Sequence, residues 1–400
     1  MNSVPRKKTP MPLPTKKNKL ALIQNIASPY IIPLFSQFAA VPQVDLQVYL
    51  MALSEKNREW VTKLGGEFKY KVLPGFSLNF FSNNLFSYHI NPSIIWELTR
   101  NRYDIIFSSG YASLTNQLAF FHAKICKKPF ILWSESTINE PSFFRKVSLP
   151  LVKLMVRHSD ALVACGTRSK EYLIQLGVAP DRIFTAYCTV DTDFFKRQSY
   201  KLQNQREKLK DETGIKNKAI VLYVGQLIER KGLKYLLKAY SQLKGEFDVA
   251  LLIVGGGKQS SELEDLCLKD NIEDVFFTGY VQLEELPKYY VISDIFVLPS
   301  LEETWGRVMN EAMACGLPVI GTDKAGASAD LIKDGVNGYV VEDKNVEQLY
   351  QAMRKILSNP EHKQSMGSKS QQMIDACFKI EHAIQGFTRA IDYVTSKAKQ

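Results

Sequence analysis

The sequence predicts an α/β protein built from two doubly wound domains in tandem. Short apolar runs typical of buried strands alternate with amphipathic helical patterns, and this alternation stops once and then restarts. Near-continuous apolar strands joined by helices indicate a parallel sheet that helices cover on both faces. The 400 residues, 45% hydrophobic and 23% charged, provide enough material for two such cores.

The first domain is assigned to residues 19–195. Helical patterns such as residues 113–128 and 169–178 separate its strands. The strand candidates are residues 19–25, 45–51, 68–73, 104–110, 129–135 and 161–166.

The second domain is assigned to residues 218–380. The preceding segment, residues 196–217, is charged and poor in apolar side chains, so we expect an interdomain linker with at most one exposed helix. The strand candidates that follow are residues 219–225, 249–255, 275–280, 294–300 and 318–322, and three helical patterns finish the chain.

Three observations concern the cellular compartment. Residues 1–18 contain cations and prolines without an apolar core, which predicts a disordered basic arm rather than a secretory signal. No run of 18 apolar residues exists, so we expect no spanning helix. Six cysteines without a CxxC pair predict free thiols in a reducing compartment, which indicates the cytoplasm.

The net charge of +10 is unevenly distributed. Residues 1–200 carry 25 Lys and Arg against 13 Asp and Glu, whereas residues 201–400 carry 26 against 28. The basic half favours an anionic partner such as lipid headgroups or a phosphorylated substrate, with solubility as the alternative. No zinc-finger spacing or aromatic RNA-binding motif accompanies it, so nucleic acid is not expected.

Residues 141–157 mix apolar with basic side chains around Pro150. This pattern fits an interfacial membrane helix, and equally a core-packed helix with a basic outer face. Together with the basic arm, it favours peripheral contact with an anionic membrane.

The segment PSLEETWGRVMNEAMACGLPVIGT, residues 299–322, carries the chemistry. A strand ends near Pro299, and we expect a helix from about Gly306 to Cys315. The free N–H groups of its first turn favour an anion such as a diphosphate. Glu303 and Glu311, on either side of that turn, are suited to accept hydrogen bonds from hydroxyls. A nucleotide sugar fits this arrangement; a solvated acidic loop before a helix is the alternative.

This stretch resembles the EX7E motif of retaining glycosyltransferases with the GT-B fold, family four (glycosyltransferase group 1). The match includes Pro299-Ser300, the two glutamates at the motif spacing, Gly306, Ala312 to Gly316 and Pro318-Val319. Residues 224–232 and 277–281 resemble further donor-domain segments of this family. The resemblance implies two Rossmann-like domains facing across a cleft, with the last helix, residues 381–400, packing on the N-terminal domain.

The resemblance also implies roles for individual residues. Glu311 would hold the ribose hydroxyls, and Glu303 would contact the donor sugar. Lys231 would neutralise the departing β-phosphate, which is physically reasonable because negative charge builds there in the transition state. The donor-binding candidates are Gly306, Arg307 and Val308 through their N–H groups, together with Gly225, Gln226, Arg230 and Tyr280.

The sequence departs from the family at three places. In residues 25–35 a Pro-Tyr turn replaces the Gly-Gly loop of many members, so no backbone contact to the donor is assigned there. Gln226 stands where members often have Arg, and Arg230 is a candidate to compensate. Where many members have a catalytic His in the first domain, this chain has Ser134 and Glu135. Glu135 would act as a base or polarising carboxylate near the anomeric carbon, or it is a strand-end acid bound by neighbouring N–H groups. His122 lies on an apolar stretch and is expected to be packed.

Two other motifs are weak. Asp191-Thr192-Asp193 spells DxD, but it resembles the family's interdomain junction, so we expect no metal. Gly255-Gly256-Gly257 is not a complete dinucleotide-binding motif, so no cofactor is expected.

The sequence therefore predicts a retaining, metal-independent glycosyltransferase of cell-surface polysaccharide or glycolipid biosynthesis. It would use a nucleotide-diphosphate sugar as donor and a saccharide or lipid-linked acceptor. The alternatives are a catalytically inactive nucleotide-sugar-binding subunit of a glycan assembly complex and another GT-B enzyme such as a nucleotide-sugar epimerase.

Overall fold

A computed structural model describes residues 17–55, 65–79, 87–138 and 143–397, without the side chains of Asn79 and residues 143–147. The first half of the chain forms a seven-stranded parallel sheet with the order β3-β2-β1-β6-β7-β8-β9. Its strands are β1 (Asn18–Ile26), β2 (Val44–Ala52), β3 (Lys69–Val72), β6 (Ile105–Ser109), β7 (Phe130–Ser134), β8 (Ala161–Ala164) and β9 (Ile183–Thr185).

The two strands β4 (Phe76–Asn79) and β5 (Ser87–Ile90) form a separate antiparallel pair that the sequence did not predict. The six predicted strands of this half are confirmed, and β9 is an additional short edge strand. The helices are α1 (Ile31–Ala39), α2 (Ser93–Asn101), α3 (Leu114–Ile125), α4 (Phe143–His158) and α5 (Thr167–Gln175).

The first sheet is buried on both faces. Successive side chains of a strand point to opposite sides, so each strand contributes to two cores. In β1, Leu20 and Leu22 belong to one core, and Ala21 and Ile23 belong to the core on the other face. All four are fully buried.

The second half forms a six-stranded parallel sheet with the order β12-β11-β10-β13-β14-β15. All five strands predicted here are confirmed. The strands are β10 (Ala219–Val224), β11 (Val249–Val254), β12 (Val275–Phe277), β13 (Ile295–Leu298), β14 (Val319–Thr322) and β15 (Gly338–Val341). The helices are α8 (Leu233–Lys244), α9 (Ser260–Lys269), α10 (Leu286–Ile292), α11 (Arg307–Ala314), α12 (Ser328–Leu331), α13 (Val346–Leu357), α14 (Pro360–Cys377) and α15 (Ile380–Lys397).

The segment between the sheets is helical. It contains two helices, α6 (Thr192–Leu202) and α7 (Arg206–Glu212), where the sequence predicted at most one. Helix α6 packs against α10 and α11, and it buries Phe195 against Tyr290 with their ring centroids 5.9 Å apart. One buried aromatic side chain of α6 thus packs against the second domain, whereas Tyr200 of the same helix is 86% exposed.

The last helix returns to the first domain, as the sequence predicted. Helix α15 packs against α1, β8 and β9. Its buried Phe387 lies 5.1 to 5.3 Å, between ring centroids, from Phe38, Phe107 and Trp133. The architecture is therefore two Rossmann-like domains joined by α6 and α7 and tied together again by α15.

The segments assigned to membrane contact are only partly described. Residues 1–16 of the predicted basic arm, residues 139–142, and the side chains of 143–147 lie outside the described residues. In the described part of α4, Val152, Met155 and Val156 are buried in the core, and Leu154 is exposed. Among the described helices, none combines the length and the hydropathy needed to span a bilayer.

Candidate active site

The candidate site lies at the carboxyl edge of the second sheet, where β10 and β13 are neighbours. The strand that follows β10 in the chain, β11, lies on one side of this pair in the sheet, and the strand that follows β13, β14, lies on the other side. Such a switch point is where doubly wound sheets bind ligands. Lys231 follows β10 and Glu303 follows β13, so two of the predicted site residues meet there.

Gly306 sets the start of α11. Its φ is 104°, and a Cβ at this position would lie 2.7 Å from Cδ2 of Leu298. A side chain would therefore be strained there. No side chain caps the helix, and its first turn contains no acidic residue. Consequently no acid of this first turn competes with an anionic ligand for the first N–H groups, which include those of Arg307 and Val308.

Lys231 and Glu303 form an ion pair whose side chains are only 10% and 12% exposed. Arg230 lies farther away, with Nη1 3.9 Å from Oε2 of Glu303. Burial raises the pKa of Glu303, but Lys231 and then Arg230 lower it more, so the net pKa is below its usual value. Glu303 is therefore ionised at neutral pH and able to accept hydrogen bonds from hydroxyls.

Glu311 is completely buried. Its Oε2 accepts a hydrogen bond of 2.7 Å from Tyr290, whereas Oε1 has no well-formed hydrogen bond within the described residues. Burial raises the pKa of Glu311 to about 7, and the hydroxyls of Tyr290 and Tyr30 partly offset this rise. Because solvent does not reach this carboxylate, a ligand contacts it only after neighbours such as Tyr30 move.

The side chain of Arg307 crosses from the second domain to the first. Its Nη2 donates to Oε1 of Glu135 at 2.7 Å and lies 3.7 Å from Sγ of Cys188. Its Cζ is 5.7 Å from the ring centroid of Tyr30. Glu135 therefore faces the predicted donor residues across the cleft. Its carboxylate is bound by the guanidinium of Arg307 rather than by the strand-end N–H groups that the sequence offered as an alternative.

The remaining donor-binding candidates lie along the same sheet edge. The N–H of Gly225 donates to the carbonyl of Val254 at 3.0 Å. The carbonyl of Gln226 accepts a 2.8 Å hydrogen bond from the Tyr223 hydroxyl, which fixes the turn that leads to Lys231. Tyr280 follows β12 and is 39% exposed, so its ring can be reached by a ligand.

One cluster offers ligand atoms suited to a metal. Within the described ranges, only Glu135, Cys165 and Cys188 bring three such atoms within 4.8 Å of one another. Both cysteines are free and buried, with Sγ atoms 2.6 Å apart. The guanidinium of Arg307 already contacts Glu135 and Cys188, so this cluster holds a side-chain cation. The expectation of a metal-free site stays a prediction.

The two acids of the DxD sequence have structural partners. Asp191 caps α6 by accepting a 2.8 Å hydrogen bond from the N–H of Phe194, and Asp193 pairs with Lys379 at 2.9 Å. The two carboxylates thus serve a helix start and a contact with the C-terminal helices.

Two family models match the chain in succession. The model of Glycosyltransferase Family 4 matches residues 43–194, and that of Glycosyl transferases group 1 matches residues 205–373. The chain belongs to the group 1 glycosyltransferases. Glu303, Glu311 and Lys231 lie within the group 1 match of this glycosyltransferase, and Glu135 lies within the other.

Curated relatives of this glycosyltransferase match it over part of their length. Spore coat protein SA of Bacillus subtilis (strain 168) is 31% identical over 208 residues, which are 48% of this chain and 54% of the relative. A GDP-mannose-dependent alpha-(1-6)-phosphatidylinositol monomannoside mannosyltransferase of Mycolicibacterium smegmatis is 30% identical over 187 residues, or 44% and 48% of the two chains. The matched regions thus span about half of these relatives.

Solved structures share the complete fold. The structure of Anabaena HepE in complex with UDP has a TM-score of 0.74 and 18% identity, covering 94% of this chain and 99% of that one. The fold of this glycosyltransferase is therefore GT-B, as the sequence predicted.

Three residues that the sequence analysis gave no side-chain role line the cleft. For Arg307 the resemblance implies only a backbone N–H contact, whereas its side chain reaches Glu135. Tyr30 follows a first-domain strand and lies beside Glu311. Asp330 accepts hydrogen bonds of 2.9 and 2.6 Å from the N–H and hydroxyl of Thr167 in the other domain. Sequence carried no signal for these contacts because they depend on how the two domains face each other.

Proposed function

We propose that this protein is a retaining, metal-independent glycosyltransferase that transfers a sugar from a nucleotide-diphosphate sugar to a saccharide or lipid-linked acceptor. The observation that carries the proposal is the arrangement of Lys231, Glu303 and Glu311 around the uncapped start of α11 at the switch point of the second sheet. Related proteins use GDP-mannose or are bound to UDP, according to their descriptions.

The donor would lie across the start of α11. Its diphosphate would accept from the N–H groups of Gly306, Arg307 and Val308, which attract an anion through the helix dipole. Glu311 would accept from the ribose hydroxyls through Oε1 after Tyr30 moves aside, because this oxygen makes no well-formed hydrogen bond within the described residues. The ionised Glu303 would accept from hydroxyls of the donor sugar.

The chemical step would occur on one face of the donor sugar. The oxygen of the acceptor hydroxyl forms a bond to the anomeric carbon as the bond from that carbon to the β-phosphate oxygen breaks, and the acceptor proton passes to the departing phosphate. Lys231 would stabilise the charge that develops on the diphosphate, and such stabilisation by preorganised groups is usually the largest single contribution to catalysis. Glu135 would polarise the acceptor hydroxyl that attacks the anomeric carbon.

The first domain would hold the acceptor and the second domain the donor, with residues 1–18 as a basic arm and the segment 196–217 as the linker. The excess of cations in residues 1–200 supports contact with an anionic surface. A cytoplasmic protein at the inner face of a membrane, acting on a lipid-linked or polysaccharide acceptor, is consistent with that charge.

The test is release of nucleoside diphosphate from a panel of nucleotide sugars, incubated with the protein and a membrane extract, with and without EDTA. We expect one sugar of the panel to give release that depends on the extract and is insensitive to EDTA. Nucleotide binding without release would favour the inactive-subunit alternative. Release that EDTA abolishes would contradict the metal-independent mechanism.

The retaining mechanism has its own measurement. Proton NMR of the transferred sugar gives the configuration at its anomeric carbon. We expect the configuration of the donor to be kept; an inverted product would overturn the same-face mechanism.

A further inference from the structure

The ion pair between Arg307 and Glu135 joins the two halves of the candidate site. Arg307 is the first residue of α11, and its guanidinium is 2.7 Å from Oε1 of Glu135 in the opposite domain. Its Nε is buried and makes no hydrogen bond within the described ranges. The guanidinium thus has donors left for another acceptor.

The described cations around the start of α11 already lie near carboxylates in this structure. Lys231 is paired with Glu303, and Arg230 is near the same carboxylate. Gln226 is neutral where a further cation would help. A donor that brings two negatively charged phosphates therefore requires at least one cation to change partner.

Arg307 is the cation that is best placed to change. Its backbone begins the helix that would receive the diphosphate, and its charge lowers the pKa of both Glu303 and Glu311, so it acts between them. A guanidinium forms bidentate pairs with phosphate oxygens. Its present partner is easily released, because the Glu135 side chain is 40% exposed and water can solvate the carboxylate.

We propose that the donor diphosphate takes the Arg307 side chain from Glu135, so that donor binding frees Glu135 for the acceptor. This inference rests on the proposed function, and it assigns the Arg307 side chain, beyond its backbone N–H, as a specificity-determining contact for a diphosphate. As a consequence, Glu135 would be available to the acceptor only after the donor is bound.

The exchange is tested by binding to purified full-length protein. The probes are UDP, GDP, ADP and TDP, each compared with its nucleoside, by isothermal titration calorimetry. For the base that binds, Arg307→Gln is expected to weaken the diphosphate about tenfold while leaving the nucleoside unchanged. Glu135→Gln is expected to strengthen the diphosphate about threefold, because Arg307 no longer has a competing partner. Arg354→Gln, which removes an exposed guanidinium of the same domain, is the control and should match wild type.

The double variant distinguishes exchange from a structural role. In the Arg307→Gln background, Glu135→Gln should no longer strengthen binding. The inference is overturned if Arg307→Gln keeps the wild-type ratio of diphosphate to nucleoside affinity, or if Glu135→Gln acts equally in both backgrounds. Wild-type protein that binds none of the four diphosphates would overturn the proposed function as well. Donor turnover with an unchanged affinity ratio in Arg307→Gln would overturn only the inference.

Discussion

The ammonium group of Lys231 is paired with the carboxylate of Glu303 in a place where both side chains are about nine-tenths buried. The two residues are far apart in the chain, and they meet because each follows one strand of the switch point. Arg230 is a further cation near Glu303 but lies farther away, with Nη1 3.9 Å from Oε2 of the carboxylate. The pair thus connects the segments that follow the two strands at the candidate site.

Removing one partner of this pair should destabilise the fold strongly. Lys231→Met leaves the buried carboxylate of Glu303 with only the more distant Arg230 as counter-charge, and we expect a loss of about 3 kcal/mol in the free energy of unfolding. The double variant Lys231→Met/Glu303→Gln should regain most of that loss. Urea unfolding gives both values. Lys234→Met, which breaks an exposed ion pair with Glu262, is the control; equal losses in the two lysine variants would contradict a buried pair.

Glu311 should make stability depend on pH. Burial raises its pKa from 4.5 to about 7 in the folded protein. Between these values the folded state binds more protons than the unfolded state, so the free energy of unfolding falls as pH rises. The contribution is about 3 kcal/mol between pH 4.5 and 7. Urea unfolding at pH 5 and pH 8 should show this component in wild type and not in Glu311→Gln.

The same shift predicts proton release on nucleotide binding. Ribose hydroxyls stabilise the ionised carboxylate, so a bound nucleoside lowers the pKa of Glu311 and a proton leaves near pH 7. Calorimetry in buffers of different ionisation enthalpy measures the released proton. The exposed Glu264→Gln serves as the control, and proton release that persists in Glu311→Gln would contradict the assignment.

Asp330 should stabilise the start of α5 from the opposite domain. Helix α5 follows Gly166, which provides no side-chain cap, and the Asp330 carboxylate accepts from the N–H and hydroxyl of Thr167. Asp330→Ala removes this cap, which is worth about 1 kcal/mol. Hydrogen exchange of the first amides of α5 should become faster, whereas amides of α2 should not change. Unaltered exchange in α5 would show that the domains do not hold this contact in solution.

Gly306 should tolerate no side chain. Alanine there meets Leu298 and has to adopt a left-handed φ, which costs about 1 to 2 kcal/mol. We expect Gly306→Ala to lower both thermal stability and nucleoside diphosphate affinity. Gly65→Ala is a suitable control because its φ is not left-handed and a Cβ there would meet no atom within 4 Å, so it should lower neither quantity.

The sequence predicted the features of this protein that depend on local chemistry. Apolar runs placed the buried strands, because a strand covered on both faces has to be apolar throughout. Gly306, Glu303 and Glu311 were found because the end of a strand, an uncapped helix start and two acids occur within one short stretch.

Contacts between the domains were not predictable in this way. The sequence places Arg307 at the start of a helix, but the side-chain direction and the partner Glu135 depend on the relative orientation of two sheets. The contacts of Tyr30 and Asp330 were unpredictable for the same reason, since each residue acts on a residue of the other domain. The complete burial of Glu311 likewise results from packing of Tyr290 and Tyr30 around it, which periodicity alone does not give.

The decisive measurement is the rate at which Glu303→Gln releases nucleoside diphosphate, using the nucleotide sugar and extract that give the highest rate with wild type. If the ionised Glu303 holds the donor sugar beside Lys231, the variant should be at least about 100-fold slower and should still bind the nucleoside diphosphate. A Glu303→Gln protein that turns over at the wild-type rate would contradict the assignment of the donor site.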